Sequence, residues 1–349
     1  MIAETLTWIL RASTIAFLVL LTGCSERGNE TAFDRLQNLP IPLAVDTTTQ
    51  LNQAEPIRPL PPVTSASLQT PMVTLGRELF HDTRLSGDGT LTCASCHGID
   101  QGGDDNLQTA TGIRGQKGPI NTPTVLNSGF NFRQFWDGRA PTLDEQAKGP
   151  VEAGIEMGAD WDIVVDTLSR DKQLKSRFEK AFGTSDITQN RVVHAIARYE
   201  ETLTTPSPFD RYLSGDRNAI SADARKGYEK FKTYGCSSCH QGINVGGNLY
   251  QQFGALQKVD IDSFTVAGAT PVIGERDGDV TMVKVPSLRN IELTAPYFHG
   301  GKIKDLAIAV KIMGASQIGK VIPDSDIALI VAFLNSLTGD WQQHAELVP

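Results

Sequence analysis

The chain has 349 residues, with 32 basic against 40 acidic side chains and a net charge of −8. That acidic balance argues against a nucleic-acid partner, which needs a basic face to release counterions from phosphate. Hydrophobic residues at 40% and charged residues at 21% describe a globular chain, long enough for two domains of ordinary size.

In chain order, Arg11 precedes an apolar run from Ala12 to Leu21, interrupted by Ser13 and Thr14. A membrane span needs about 20 apolar residues, so this run suits the core of a secretory signal instead. It ends in Leu21-Thr22-Gly23-Cys24, which resembles a bacterial lipobox. The expectation is a signal peptide over residues 1–23, with Cys24 lipidated and the protein anchored to a membrane on the periplasmic side. The alternative is a plain signal, a chance cysteine and a soluble periplasmic protein. Residues 24–69 carry Pro40, Pro42, Pro56, Pro59, Pro61 and Pro62 among polar residues, which predicts an extended tether.

Thr70-Pro71 reads as an N-cap followed by proline in the first helical turn, with Leu75, Leu79 and Phe80 as the apolar stripe. Asp160 to Thr204 is helical in pattern, through Ile163, Val164, Leu168, Val192, Val193, Ile196 and Tyr199. Ser207-Pro208 repeats the start signal, and Ser221 caps a run through Tyr228 and Phe231. Near the end, Asp324 or Ser325 is expected to cap Ile327 to Leu337, with Gly339 as the stop. Alternating strand patterns are scarce, so the class is mainly α. The loops Gly98–Pro123 and Gly242–Pro286 are long for connectors and suit wrapping a ligand.

Two motifs carry the chemistry: Cys93-Ala94-Ser95-Cys96-His97 and Cys236-Ser237-Ser238-Cys239-His240. They stand about one domain length apart. Cysteines three apart on one turn reach the two vinyl groups of a porphyrin as thioethers, and the next histidine lies under the iron. Zinc is the competing reading, but one zinc shared by both motifs leaves the two histidines unexplained. An exported, oxidising compartment favours disulfides or haem attachment over free thiols. Of the 5 cysteines, lipidation of Cys24 leaves these four.

Other segments bear on the same reading: Asn121-Thr122-Pro123-Thr124-Val125-Leu126-Asn127, Phe135-Trp136-Asp137-Gly138-Arg139-Ala140, Gly149-Pro150 with Glu156-Met157-Gly158, and Val285-Pro286-Ser287-Leu288-Arg289-Asn290 with Pro296-Tyr297-Phe298-His299. Taken with the two haem motifs, they resemble the bacterial dihaem cytochrome c peroxidase family from about Leu75 to Leu337. The resemblance implies two tandem cytochrome c-like domains, 70–206 and 207–349, each with one covalent c-type haem. It implies that His97 ligates the peroxidatic haem and that Trp136 relays electrons between the haems. Glu156 would face the open side of the first iron, and Gln146 would shape that pocket. Independently of the family, splitting peroxide needs a base that moves a proton between its oxygens. A carboxylate in a partly dry pocket suits that task.

The resemblance further implies that His240 and Met313 ligate the second, electron-accepting haem, with Met282 as the rival sulfur ligand. It places a calcium ion between the domains on Asn121, Thr294 and Pro296, oxygens that suit a hard cation. The implied partners are hydrogen peroxide and a small cytochrome c or cupredoxin donor, and the family suggests a homodimer. For His299 the expected role is a hydrogen-bonded structural histidine.

One departure stands out. Many members of the family block the first iron in the resting state with a histidine on the loop before Gly118-Pro119-Ile120-Asn121. Here that position is Ile113, and none of the 6 histidines lies between His97 and His194. Isoleucine cannot coordinate iron, so the first haem is expected to react without reductive activation. Lys117 on the same loop is the substitute ligand to consider. A related dihaem enzyme that matures a tryptophylquinone cofactor also lacks this histidine, so peroxide-driven oxidation of a partner protein stays open. So does a non-enzymatic electron carrier.

Overall fold

The computed structural model describes residues 55–62, 64–256 and 282–340, all within the unit Leu43–Pro349. The expected signal peptide, Cys24 and the tether before residue 55 lie outside the described residues. The described residues are mainly helical, as their patterning predicts. Helix α1 spans Pro71–Phe80, α2 Leu143–Glu152, α3 Trp161–Ser169, α4 Lys172–Phe182 and α5 Gln189–Glu200. In the second half come α6 Pro208–Leu213, α7 Ala222–Tyr234, α8 Leu306–Ile318 and α9 Asp324–Asn335. No helix among the described residues is long and apolar enough to cross a membrane.

The starts follow from side-chain chemistry. Thr70 Oγ1 accepts from Val73 N, and Ser207 shares a capping box with Asp210. Ser221 accepts from Ala224 N, each such cap contributing about 1 kcal/mol. The last helix departs from expectation. Pro323 holds its N-cap position without a side-chain bond, and Asp324 is already helical. Gly339 lies beyond the end of α9 and is small for another reason: a side-chain carbon there would collide with the Thr205 carbonyl.

The core has two parts. The first gathers Val73, Leu79, Phe80, Val164, Phe178, Val192, Ile196 and Tyr199. The second gathers Ile57, Phe209, Tyr228, Phe231, Ile330, Phe333 and Leu334. Each is built on one tight helix crossing. Gly76 of α1 lets the Ala195 carbonyl of α5 pass, and Gly227 of α7 does the same for Leu329 of α9. One turn further on, Phe80 meets Tyr199 with ring centroids 5.3 Å apart, and Phe231 meets Phe333 at 5.1 Å. A larger residue at either glycine would force the helices apart and open the packing.

Residues 55–60 correct the tether expectation. Ile57 is 1% exposed and Leu60 6%, so this stretch is packed on the second lobe rather than extended in solvent. Arg58 N donates to Gly242 O (3.2 Å) and Gly242 N to Pro56 O (2.8 Å), just after the second haem motif. Leu60 N donates to Asp210 Oδ1 at 2.8 Å. Asp210 is also held by both terminal nitrogens of Arg289, each at 2.9 Å, and that arginine is 1% exposed. Arg289 Nε donates to Ile243 O at 2.7 Å and Nη2 to Arg58 O at 3.2 Å. One buried ion pair thus ties the strap, α6 and the loop after His240 together. The pattern missed this because Pro56, Pro59, Pro61 and Pro62 remove amide donors, while the anchoring comes from isolated apolar residues and carbonyls.

A two-stranded antiparallel ribbon, β1 (Tyr250–Gln252) and β2 (Met282–Lys284), pairs Gln251 with Val283. The two lobes are stitched along a seam. Asn290 Nδ2 donates to Thr205 Oγ1 at 2.9 Å and Asn244 Nδ2 to Asn131 Oδ1 at 2.8 Å across it, and on the first lobe's side Asn127 and Thr205 exchange bonds of 2.8 and 2.9 Å.

Candidate active site between two haem-binding turns

Both Cys-x-x-Cys-His motifs fold as one tight 3-10 turn. In the first, Cys93–Ser95, His97 N donates to Cys93 O at 3.0 Å, and Thr92 N to Ser95 Oγ at 2.9 Å. In the second, Cys236–Ser238, His240 N donates to Cys236 O at 3.0 Å. All four thiols are free of disulfides. A Cys-x-x-Cys-His run folded as one tight turn is the local structure that thioether attachment needs.

The imidazoles supply the fit test. His97 Nδ1 lies 3.2 Å from Gly103 O. Donation to that carbonyl fixes the tautomer and leaves Nε2 as a lone-pair ligand. His240 is half-buried beside the Val245 and Pro286 backbones, its Nδ1 without a well-formed hydrogen bond, and desolvation of the ring lowers its pKa to about 4. Burial also lowers the pKa of His97. Neutral imidazole is the state that binds iron. The residues of both turns therefore fit a c-type haem.

Residues 112–116 are stapled to residues 153–158, whose Glu156 lies close enough to the first turn to act on Cys96. Ile113 N donates to Glu156 O at 2.7 Å and Gln116 Nε2 to Gly154 O at 2.7 Å. Gly87 N donates to Met157 O at 2.8 Å. Ile113 is 3% exposed and fits because Gly87 and Gly158 carry no side chains: added carbons there would stand 3.4 and 3.2 Å from it. Lys117 is exposed and its Nζ bonds Thr111 Oγ1 on its own loop. Glu156 is half-buried; desolvation raises its pKa, and Arg139 opposes the shift. Gln146 stands on α2, which carries Pro150 inside its last turn and ends just before the Glu156 segment.

Trp136 lies in the seam. Its Nε1 donates to Asn121 O at 2.8 Å, and its ring lies 4.3 Å from that of His299, at 40°. Asn121 N in turn donates to His299 O at 2.8 Å. His299 is thus an aromatic neighbour of Trp136, with burial lowering its pKa to about 4. Asn121 Nδ2 is spent on Leu107 O (2.9 Å), so the amide oxygen is the end left over. Thr294 and buried Pro296 lie on the segment just before His299.

Met313 is half-buried on α8, one turn before Gln317. Gln317 Nε2 donates to Gln252 O at 2.9 Å, and the neighbouring Gln251 reaches Cys239 Sγ at 3.8 Å. The ribbon therefore ties α8 to the second haem turn. Met282 sits on the same ribbon, opposite Gln252. Lys284 was not anticipated. It is 6% exposed, donates to Arg133 O at 3.1 Å, and burial lowers its pKa to about 8.

Fold and site together define a class: a helical two-lobed redox protein with one haem-attachment turn per lobe and an aromatic pair in the seam. The chain belongs to the dihaem cytochrome c peroxidase family. A family model described as "Di-haem cytochrome c peroxidase" matches residues 70–218. The chain is 45% identical over 287 residues to the cytochrome c551 peroxidase of Nitrosomonas europaea, covering 82% of this chain and 85% of that one. To the cytochrome c551 peroxidase of Pseudomonas aeruginosa it is 44% identical over 269 residues, with 76% and 78% covered. The methylamine utilization protein MauG of Methylophilus methylotrophus is more distant, at 31% over 294 residues, with 80% and 86% covered. Among solved structures, a MauG-like protein associated with microbial copper homeostasis superposes with a TM-score of 0.69 at 26% identity, covering 86% of this chain and 96% of that one.

Proposed function

We propose that the chain reduces hydrogen peroxide to water at a haem on His97, with electrons accepted at a haem on His240. That it is a peroxidase, an oxidoreductase of the dihaem class, rests on its family and its cytochrome c peroxidase relatives. When bound, the haems supply redox-active iron. Cys93 and Cys96 would hold one, and Cys236 and Cys239 the other, with Met313 as the second axial side chain of the latter. A thioether favours reduced iron, which suits a site fed by a small cytochrome c or cupredoxin.

Reduction of peroxide consumes two electrons and two protons, so a residue must manage protons where the oxygen–oxygen bond breaks. Glu156 is assigned that role: its carboxylate takes the proton from one peroxide oxygen and returns it to the other, which leaves as water. Desolvation supports this by raising its pKa above the ordinary carboxylate value, against the opposing pull of Arg139. Gln146 shapes the pocket. Trp136 carries electrons across the seam, with Asn121 and His299 fixing its ring. The observation that carries the reading is buried Ile113 in place of a histidine, bonded to the backbone of the acid-base residue. A side chain that cannot coordinate iron keeps the first haem ready without prior reduction.

The domain boundary is placed at 206–207, between the two core clusters. Calcium at Asn121, Thr294 and Pro296 would fasten the seam, Cys24 would anchor the protein by lipid on the periplasmic side, and two chains would pair as a homodimer, which sizing of the holoprotein tests. A second reading, oxidation of a partner protein, is favoured by the same Ile113 and by the similarity to MauG. Turnover separates them. The holoprotein with peroxide should consume reduced cytochrome c or cupredoxin at many equivalents per enzyme. Modification of a partner protein with no turnover of either donor would favour the second reading.

A further inference from the structure

Lys284 is 6% exposed, and its Nζ donates to Arg133 O at 3.1 Å. Burying an ammonium is costly unless an anion compensates it, and here the compensation is partial. Asp137 acts on Lys284 through space, but its own oxygens serve Arg139. Oδ1 accepts from Arg139 N at 3.0 Å and Oδ2 from Nη1 at 2.7 Å. Asp137 and Arg139 thus cancel, and the positive charge of Lys284 is left over. Burial lowers its pKa only to about 8, so the charge is present at neutral pH.

Its setting is the loop that carries Trp136. Lys284 lies on β2 opposite Tyr250 of β1, and the second lobe grips that loop on both sides of the indole. On one side are the bond to Arg133 O and a bond from Phe132 N to Gly247 O at 2.8 Å. On the other, the Tyr250 hydroxyl donates to Gly138 O at 3.3 Å, and a side-chain carbon on Gly138 would collide with that hydroxyl. The charge also reaches the aromatic pair. His299, whose ring lies 4.3 Å from that of Trp136, is acted on by both Lys284 and Asp137. Burial keeps the imidazole itself neutral.

We propose that Lys284 holds Trp136 in its reduced form between electron transfers, its charge opposing the radical cation left whenever the ring gives up an electron. The inference rests on the relay role of Trp136 given above and adds what governs oxidation of the ring. In that role Trp136 passes one electron toward the His97 side and takes one from the His240 side. The electrons come from the reduced cytochrome or cupredoxin, and no atom is transferred. The Nε1 proton stays on the ring, because its partner is the carbonyl of Asn121 and not a base. The oxidised ring therefore keeps its positive charge, and a second one in a dry seam raises its energy directly. Lys284 in this way shortens the time an oxidising equivalent spends on the indole when peroxide arrives before the donor.

The test is freeze-quench electron paramagnetic resonance of the full-length holoprotein after one equivalent of hydrogen peroxide, without donor. Lys284→Met keeps the length of the side chain and removes the charge. It should raise the organic-radical signal about tenfold or more over wild type, with unchanged resting haem absorption spectra. Lys284→Gln, which keeps a donor without the charge, should do the same, and it serves alone should Lys284→Met fail to accumulate. Lys284→Arg should give the wild-type yield, and Trp136→Phe added to either neutral variant should abolish the increase. A wild-type yield in the neutral variants, a raised yield in Lys284→Arg, or an increase that survives Trp136→Phe overturns the role of Lys284. The relay itself is read separately, by stopped-flow oxidation of reduced cytochrome c. Electron delivery as fast in Trp136→Phe as in wild type overturns the relay reading, and the inference with it.

Discussion

Replacing Glu156 by Gln keeps the size of the side chain and removes its proton traffic. The backbone is fixed independently of the carboxylate: Glu156 N donates to Ala153 O at 2.8 Å, and Glu156 O accepts from Ile113 N at 2.7 Å. The variant should therefore fold and keep its haem spectra. A positioned acid-base group contributes on the order of 10²–10⁴ in rate, about 3–5 kcal/mol of barrier. The assay is steady-state peroxide turnover with a reduced small cytochrome across pH. Because desolvation raises the pKa of Glu156, the wild-type acid limb should lie above the ordinary carboxylate range, with rate falling as the base is protonated. In Glu156→Gln the rate drops and that limb disappears. In Arg139→Gln the opposing cation is gone, and the limb moves to higher pH. Turnover of Glu156→Gln within about threefold of wild type, with its acid limb intact, would refute the assignment.

Two further predictions concern the scaffold. Arg289→Met leaves Asp210 buried without its cation and should cost about 3–5 kcal/mol in denaturant unfolding; a loss below about 1 kcal/mol would contradict the role of the ion pair. Glu200 is 5% exposed, and burial lifts its pKa from 4.5 to about 8. The folded state then holds a proton that the unfolded state releases, so stability falls as pH rises from about 4.5 to about 8. Glu200→Gln should flatten that decline, gaining several kcal/mol at the alkaline end on the scale of about 1.36 kcal/mol per pKa unit. Parallel stability curves for the two proteins would show that Glu200 does not titrate in this range.

Much of the architecture was legible because it is local. Thr70, Ser207 and Ser221 start their helices through their own hydroxyls. Each haem turn is closed by bonds within a few residues, which is why a short motif suffices to recognise it. What escaped depends on contacts distant in sequence. Ile57 and Leu60 look like tether until Gly242 and Asp210 receive them. Lys284 reads as an ordinary strand lysine, and only the neighbouring lobe makes it a buried cation beside Arg133 and Asp137. Asp104 and Asp105 are equivalent as letters; the fold buries the first and gives the second the Leu107 amide and the Thr122 hydroxyl. Position 113 lies between these cases. Its residue type could be read at once, but its packing between Gly87 and Gly158, against Glu156, required the structure.

The central claim, a peroxidatic haem that needs no reductive activation, turns on the ferric spectrum of the protein as isolated. Electron paramagnetic resonance should display one high-spin signal from the His97 haem beside one low-spin signal from the His240 haem, and Ile113→His should diminish the former. Two low-spin signals in the wild-type protein would mean that some other nitrogen or sulfur donor occupies the first iron, and the account would fail.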